Sequence, residues 1–129
     1  MSDTHGKVLW SELNTRDVEG AKTYYGSVCG WTFEAMPMAG GEGDYTIGKR
    51  GDEMVAGIFD ITGMPGLEQV PAHWLTYIGV DDVDATCAAT KTAGGEVIRE
   101  PFDIPNTGRI AIVQDPTGAV LGLMTASDG

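Results

Sequence analysis

The sequence predicts an α+β fold built from two βαβββ modules, and three observations carry that expectation. First, the chain repeats itself at an offset of 65. Leu13 falls over Ile78, Gly30 over Gly95, Phe33 over Ile98, Ile47 over Ile112, Val55 over Val120 and Gly57 over Gly122, without a gap. Second, each half carries one helix signature: an acidic N-cap, apolar residues at helical spacing, and a glycine stop. Third, short alternating runs bounded by Gly, Asp and Pro surround each helix, the pattern of half-buried strands joined by tight turns. A chain of 129 residues has room for a single domain, 1–129. Its modules are expected at about 7–63 and 72–128, joined by a linker over 62–71.

Each element has a local reason. Val8 to Asn14 alternates as a half-buried strand does. Asp17 suits an N-cap, because its carboxylate can accept an otherwise unpaired amide of the first turn. Val18, Ala21, Tyr25 and Val28 follow on one helical face, and Gly30 can close the helix in the left-handed conformation. Trp31–Met36, Asp44–Lys49 and Met54–Ile61 read as three strands, with Arg50-Gly51-Asp52 as a hairpin turn. Between the first two of these, Met36 to Gly43 reads as a loop able to act as a lid, and Met36, Met38 and Met64 as an adaptable apolar mouth. The second half runs in parallel. A strand from His73 to Val80 precedes the cap Asp82, and Val83, Thr86, Ala89 and Ala93 form the helical stripe stopped by Gly94-Gly95. Glu96–Glu100, Gly108–Gln114 and Ala119–Thr125 follow as strands, the last two joined by Asp115-Pro116-Thr117-Gly118.

Period-two alternation also assigns faces. Leu9 and Leu13 suit the helix-covered side, while Val8, Trp10, Glu12 and Asn14 point the other way. In the equivalent strand Trp74, Ile78 and Val80 suit the helix side, and His73, Leu75, Tyr77 and Gly79 oppose it.

Composition narrows the function classes. With 42% hydrophobic and 21% charged residues, a packed core is expected. The balance of 8 Lys+Arg against 19 Asp+Glu gives a net charge of −11, which repels nucleic-acid phosphates and anionic lipid, so neither nucleic acid nor membrane is expected as a partner. Met1 to Lys7 has no apolar signal region, and no run approaches the length of a membrane span. Cys29 and Cys87 lie in no C-x-x-C pattern and read as free, mostly buried thiols of a reducing, cytoplasmic setting. No Gly-x-Ser-x-Gly and no phosphate loop is present. Asp81-Asp82-Val83-Asp84 lacks the central Gly and closing Glu of a calcium loop and reads better as a helix cap.

Asp17-Val18-Glu19-Gly20-Ala21-Lys22-Thr23-Tyr24-Tyr25, then Gly30-Trp31, together with Asp115-Pro116-Thr117-Gly118-Ala119, resemble the vicinal oxygen chelate superfamily of glyoxalases, bleomycin-resistance proteins and dioxygenases. The resemblance covers nearly the whole chain and is strongest to short bacterial glyoxalase-like proteins. It implies two half-cups of four strands with helices outside, a small-molecule ligand in the cup, and a homodimer.

Metal-using members of that superfamily take a ligand from the first and last strand of each module. Carried over by the resemblance, those positions fall on Trp10, Gly57, Leu75 and Gly122, none of which offers a side-chain donor. The expectation is therefore a site without metal and without cofactor. His5 and His73 are the two histidines in the chain, and His5 lies in an N-terminal segment expected to be loose.

What remains on the inner face is Glu12, a carboxylate among apolar neighbours and so a candidate general base. Tyr77 is its repeat mate, and His73 lies nearby in the alternation as a candidate acid or base. Trp10, Glu12, Asn14, Val55, Phe59, His73, Leu75, Tyr77 and Met124 are the expected ligand contacts. Three readings stay open: binding of a small, partly apolar or aromatic molecule; metal-independent proton transfer of isomerase or lyase type with Glu12 as base; and lyase or dioxygenase chemistry on a metal held by non-standard ligands. Competing structural roles are an ion pair of Glu12 with Lys49 or Arg109 and a hydrogen bond from His73 to the linker backbone.

Overall fold

The computed structural model describes residues 3–37, 44–63, 68–104 and 108–126. Met38, Met64, most of the expected lid loop (38–43) and part of the linker (64–67) lie outside the described residues. Ten elements follow in order: β1 (Val8–Thr15), α1 (Val18–Cys29), β2 (Thr32–Pro37), β3 (Asp44–Arg50), β4 (Glu53–Asp60), β5 (His73–Gly79), α2 (Val83–Thr92), β6 (Glu96–Ile104), β7 (Gly108–Gln114) and β8 (Val120–Ala126). Two βαβββ runs are present, in the order the repeat predicts. The chain groups into two compact units, Trp10–Trp74 and Met1–Leu9 with Leu75–Gly129.

In the Trp10–Trp74 unit the strands are ordered β2-β3-β4-β1, with β1 parallel to β4 and the other neighbours antiparallel. Asp17 accepts the Gly20 amide at 2.8 Å, and Gly30 closes α1 with φ 76°, a left-handed value that glycine adopts without strain. Helix α1 nevertheless buries no residue, and Val28 is 61% exposed, against the expectation that it faces the sheet. The cause is aromatic bulk. Trp31 lies where a Gly48 side chain would stand, and Tyr25 stacks on Trp31 at 5.4 Å. Phe33, opposite Gly48 in register, faces Gly26 of the helix. Rings thus separate helix from sheet. Trp74 joins this cluster, donating its indole N–H to the Tyr25 hydroxyl at 3.1 Å and meeting Trp31 edge-on. The assignment of Trp74 to the helix layer of its own module is corrected: alternation fixes a side chain's face but not which helix it meets.

In the other unit the order is β6-β7-β8-β5, with β5 parallel to β8. Asp82 caps α2 by accepting from Ala85, and Gly94 (φ 95°) turns the chain after it. Here the helix is seated. Val83 and Cys87 pack with Val80, Ala111, Val113 and Leu123 into one aliphatic cluster. Full burial of each such side chain contributes about 1.5–3 kcal/mol. Arg109 on β7 ties the helix further, holding Asp84 at 2.8 Å and Asp103 at 3.2 Å. The N-terminal segment, expected to be loose, is instead held by hydrogen bonds. Gly6 donates to the Gly79 carbonyl, Gly79 to that of Lys7, and the Asp81 amide to His5 Nδ1. Cys87 is buried, whereas Cys29 is exposed at the end of α1 and departs from the expected buried pair.

Candidate functional site

The face of the Trp10–Trp74 unit turned away from α1 gathers the polar groups. Register makes this explicit. Glu12 sits opposite Gly57, Asn14 opposite Phe59, and Ile47 opposite Gly57 from the other side. Residues paired across a ladder share a face, so Glu12, Asn14, Gly57, Phe59 and Tyr45 lie together, with Trp10 and Val55 on the same rows.

Tyr45 organises this face. Its hydroxyl donates to Glu12 Oε2 at 2.8 Å and accepts from the Trp10 indole N–H at 3.1 Å. Glu12 is buried at 9% exposure, and a carboxylate at such a depth is stable only when hydrogen-bonded. The tyrosine ring crosses Gly57 so closely that a Cβ there would collide with the hydroxyl. Its ring centre lies 6.4 Å from that of Phe59. Sequence reasoning missed Tyr45, which lies 33 residues from Glu12. The available signal was Gly57 itself, since a glycine inside a strand often marks close approach by another group.

Asn14, 6% exposed, has no hydrogen-bond partner for its Nδ2 among the described residues. Leaving a buried donor unmet costs about 1–3 kcal/mol, so this amide is a group with unused recognition capacity.

The structural alternatives for Glu12 and His73 can be placed. Lys49 is held by Glu34 at 3.3 Å and Arg109 by Asp84 and Asp103. The His73 Nδ1 lies 2.9 Å from the Pro71 carbonyl, the backbone bond considered for it. Leu75, Tyr77 and Met124 belong to the other unit. There Tyr77 is buried with its ring over Gly122, which a Cβ at that position would strike. On the same helix-free face Ile110 pairs with Met124 and Ile112 with Gly122, so that surface is largely apolar.

The positions to which the resemblance carries the superfamily's metal ligands offer no side-chain donor. Trp10, Gly57, Leu75 and Gly122 supply no side-chain ligand, and the space beside each glycine is taken by a tyrosine. Among the described residues no group of three or more His, Cys, Asp or Glu side chains is placed to hold a metal ion.

Two βαβββ modules, each with its first strand parallel to its last, and a repeat spanning both are the architecture of a chain of the glyoxalase kind. The model of the glyoxalase/bleomycin resistance protein/dioxygenase superfamily matches residues 7–123, and the chain belongs to that superfamily. It is 43% identical over 119 residues to a putative glyoxylase, CFP32, of Mycobacterium bovis, covering 92% of this chain and 44% of that protein. The chain therefore spans less than half the length of the first curated relatives it matches. A probable lactoylglutathione lyase of Vibrio cholerae is 32% identical over 124 residues, covering 92% of this chain and 89% of that one. Among solved structures, methylmalonyl-CoA epimerase from Mycobacterium tuberculosis superposes with a TM-score of 0.62 at 14% identity, covering 98% and 93% of the two chains, which shows a shared fold.

Proposed function

We propose that this chain binds a small, partly apolar or aromatic molecule on the helix-free face of the Trp10–Trp74 unit, without the superfamily's metal centre. One observation carries the reading: the Tyr45 hydroxyl stands over Gly57 and donates to the buried Glu12. A hydrogen-bonded hydroxyl and carboxylate take the place where a metal ligand would project. Trp10, Val55 and Phe59 supply apolar walls, and Glu12 and Asn14 the polar end. The corresponding face of the other unit, with Leu75, Tyr77 and Met124, suits apolar contact. A cytoplasmic setting and a homodimer belong to the same reading. No helix among the described residues is long and apolar enough to cross a membrane.

The test is metal content per chain, by elemental mass spectrometry, of protein purified without chelator or metal-affinity resin. Content well below one equivalent, with no rise in melting temperature on adding nickel, zinc, manganese or iron, is the expected result. Near one equivalent of a single transition metal would overturn the reading in favour of lyase or dioxygenase chemistry on other ligands.

A second reading is favoured by the buried carboxylate and by the resemblance to a probable lactoylglutathione lyase. In it Glu12 acts as the base of a metal-independent proton transfer, with His73 as a candidate partner. Glu12→Gln separates the two: turnover lost with affinity retained marks the enzyme, and binding without turnover on any candidate substrate marks the binding protein.

A further inference from the structure

We propose that Asn14 recognises the carbonyl oxygen of an uncharged aromatic ligand, such as an aryl ketone; this rests on the small-molecule reading above. The argument begins with the unmet donor. Asn14 is 94% buried, and its Nδ2 has no partner among the described residues. Buried polar atoms in folded proteins are nearly always paired, so an exception at a candidate site points to a partner that arrives from outside. That partner must be an acceptor, because an amide NH2 offers only donors.

The surroundings restrict it further. Glu12 lies two positions along β1, on the same face, and the chain carries a net charge of −11. An anionic acceptor placed beside a buried carboxylate would meet repulsion strengthened by low polarity. A neutral carbonyl avoids that. Aromatic walls complete the description. Phe59 is the register partner of Asn14, the Tyr45 ring lies 6.4 Å from it, and the Trp10 indole is anchored to the Tyr45 hydroxyl. Rings prefer offset or edge contacts with other rings at such spacings. The second unit offers no counterpart, since the repeat mate of Asn14 is Gly79, whose missing side chain is replaced by Leu9 and the Thr4 carbonyl.

The experiment compares three probes of similar shape: acetophenone, ethylbenzene and benzoate. Affinities are read from tryptophan fluorescence, and the carbonyl stretch of bound acetophenone from infrared difference spectra. Acetophenone is expected to bind about tenfold more tightly than ethylbenzene, as an ordinary neutral hydrogen bond allows, and benzoate not measurably. The carbonyl stretch should move to lower frequency on binding. Asn14→Leu should remove both the preference and the stretch shift while raising the melting temperature of the free protein, because an unmet polar group has been replaced by an apolar one of similar size. The infrared shift in the unmodified protein reads the bond directly and needs no variant to fold. If acetophenone and ethylbenzene bind alike with no stretch shift, the carbonyl proposal fails and the small-molecule reading stands. If Asn14→Leu lowers the melting temperature, the amide has a structural partner and the proposal fails. If none of the three probes binds, the proposal and the aromatic-ligand reading fall together.

Discussion

In the unit formed by residues 1–9 and 75–129, helix α2 buries Val83 and Cys87 in an aliphatic cluster and is tied down by Arg109. In the Trp10–Trp74 unit, helix α1 buries nothing and rests on a layer of rings. The opposite faces differ in the reverse sense. The first unit is apolar there, with Tyr77 over Gly122, and the second carries Glu12, Asn14 and the Tyr45 hydroxyl. Two copies of one backbone plan have thus diverged along both layers at once. The unit with the tighter core presents the plainer face, and the unit with the looser helix holds the buried polar groups. Polar groups out of water cost stability unless hydrogen-bonded, so the contrast is one between a half whose helix is seated in an aliphatic cluster and a half that buries polar groups.

Core substitutions should break this contrast most strongly. Leu123→Ala in the aliphatic cluster should lower stability by about 2–5 kcal/mol, whereas Val28→Ala on the exposed side of α1 should stay within about 0.5 kcal/mol. Urea denaturation of both variants checks the pair, and equal losses would remove the proposed asymmetry. The two roofed glycines come next. Gly57→Ala and Gly122→Ala each force a tyrosine aside, at about 1–3 kcal/mol by overpacking. Gly57→Ala should weaken ligand binding more than Gly122→Ala, because Tyr45 is proposed to organise the polar end whereas Tyr77 lies on the apolar face; parallel melts and titrations decide it.

Acid should sharpen the contrast with a smaller effect. The Arg109 guanidinium holds the Asp84 carboxyl below its usual range, and hydrogen bonds, first from the Thr117 hydroxyl and then from the Ala119 and Thr117 amides, do the same for Asp115. A carboxyl depressed in the folded state contributes stability that is complete above the unfolded value, about 3.9. That contribution is lost as pH falls through the lower folded value. Melting temperature should therefore drop on acidification below about pH 4, and Asp84→Asn should flatten part of that slope. The smallest effect is a stoichiometry. Native protein should react with a thiol reagent at Cys29 alone, with Cys87 joining on unfolding, since burial protects Cys87 and pushes its thiol up.

Much of the fold was legible because its signals are local. Asp17, Gly30 and Asp82 act within one turn of their own position, and the repeat doubled every observation. The faces of most of β1 and β5 followed from alternation, but Leu9, assigned to the helix-covered side, instead fills the space beside Gly79, which was assigned to the opposite side. Glu12 and Asn14 were legible as inner-face residues for the same reason. Tyr45 was not, because its role depends on a ring crossing two strands to reach Glu12, and no periodicity encodes that. Trp74 failed for a related reason: its partners Tyr25 and Trp31 are distant in sequence and drawn from another element. The exposed Val28 failed because helical spacing says which residues share a face, not how closely the face approaches the sheet.

The collision between Tyr45 and any side chain at position 57 also constrains the order in which substitutions can accumulate. A glutamate introduced at Gly57 while Tyr45 remains would meet the ring before it could meet an ion. Replacing Tyr45 first instead leaves the Trp10 and Glu12 groups without the hydroxyl that joins them. Either first step is unfavourable alone, so a side chain at position 57 requires a coupled change at Tyr45. Gly57 and Tyr45 thus act as a lock on sequence space, each holding the other in place more firmly than either could alone.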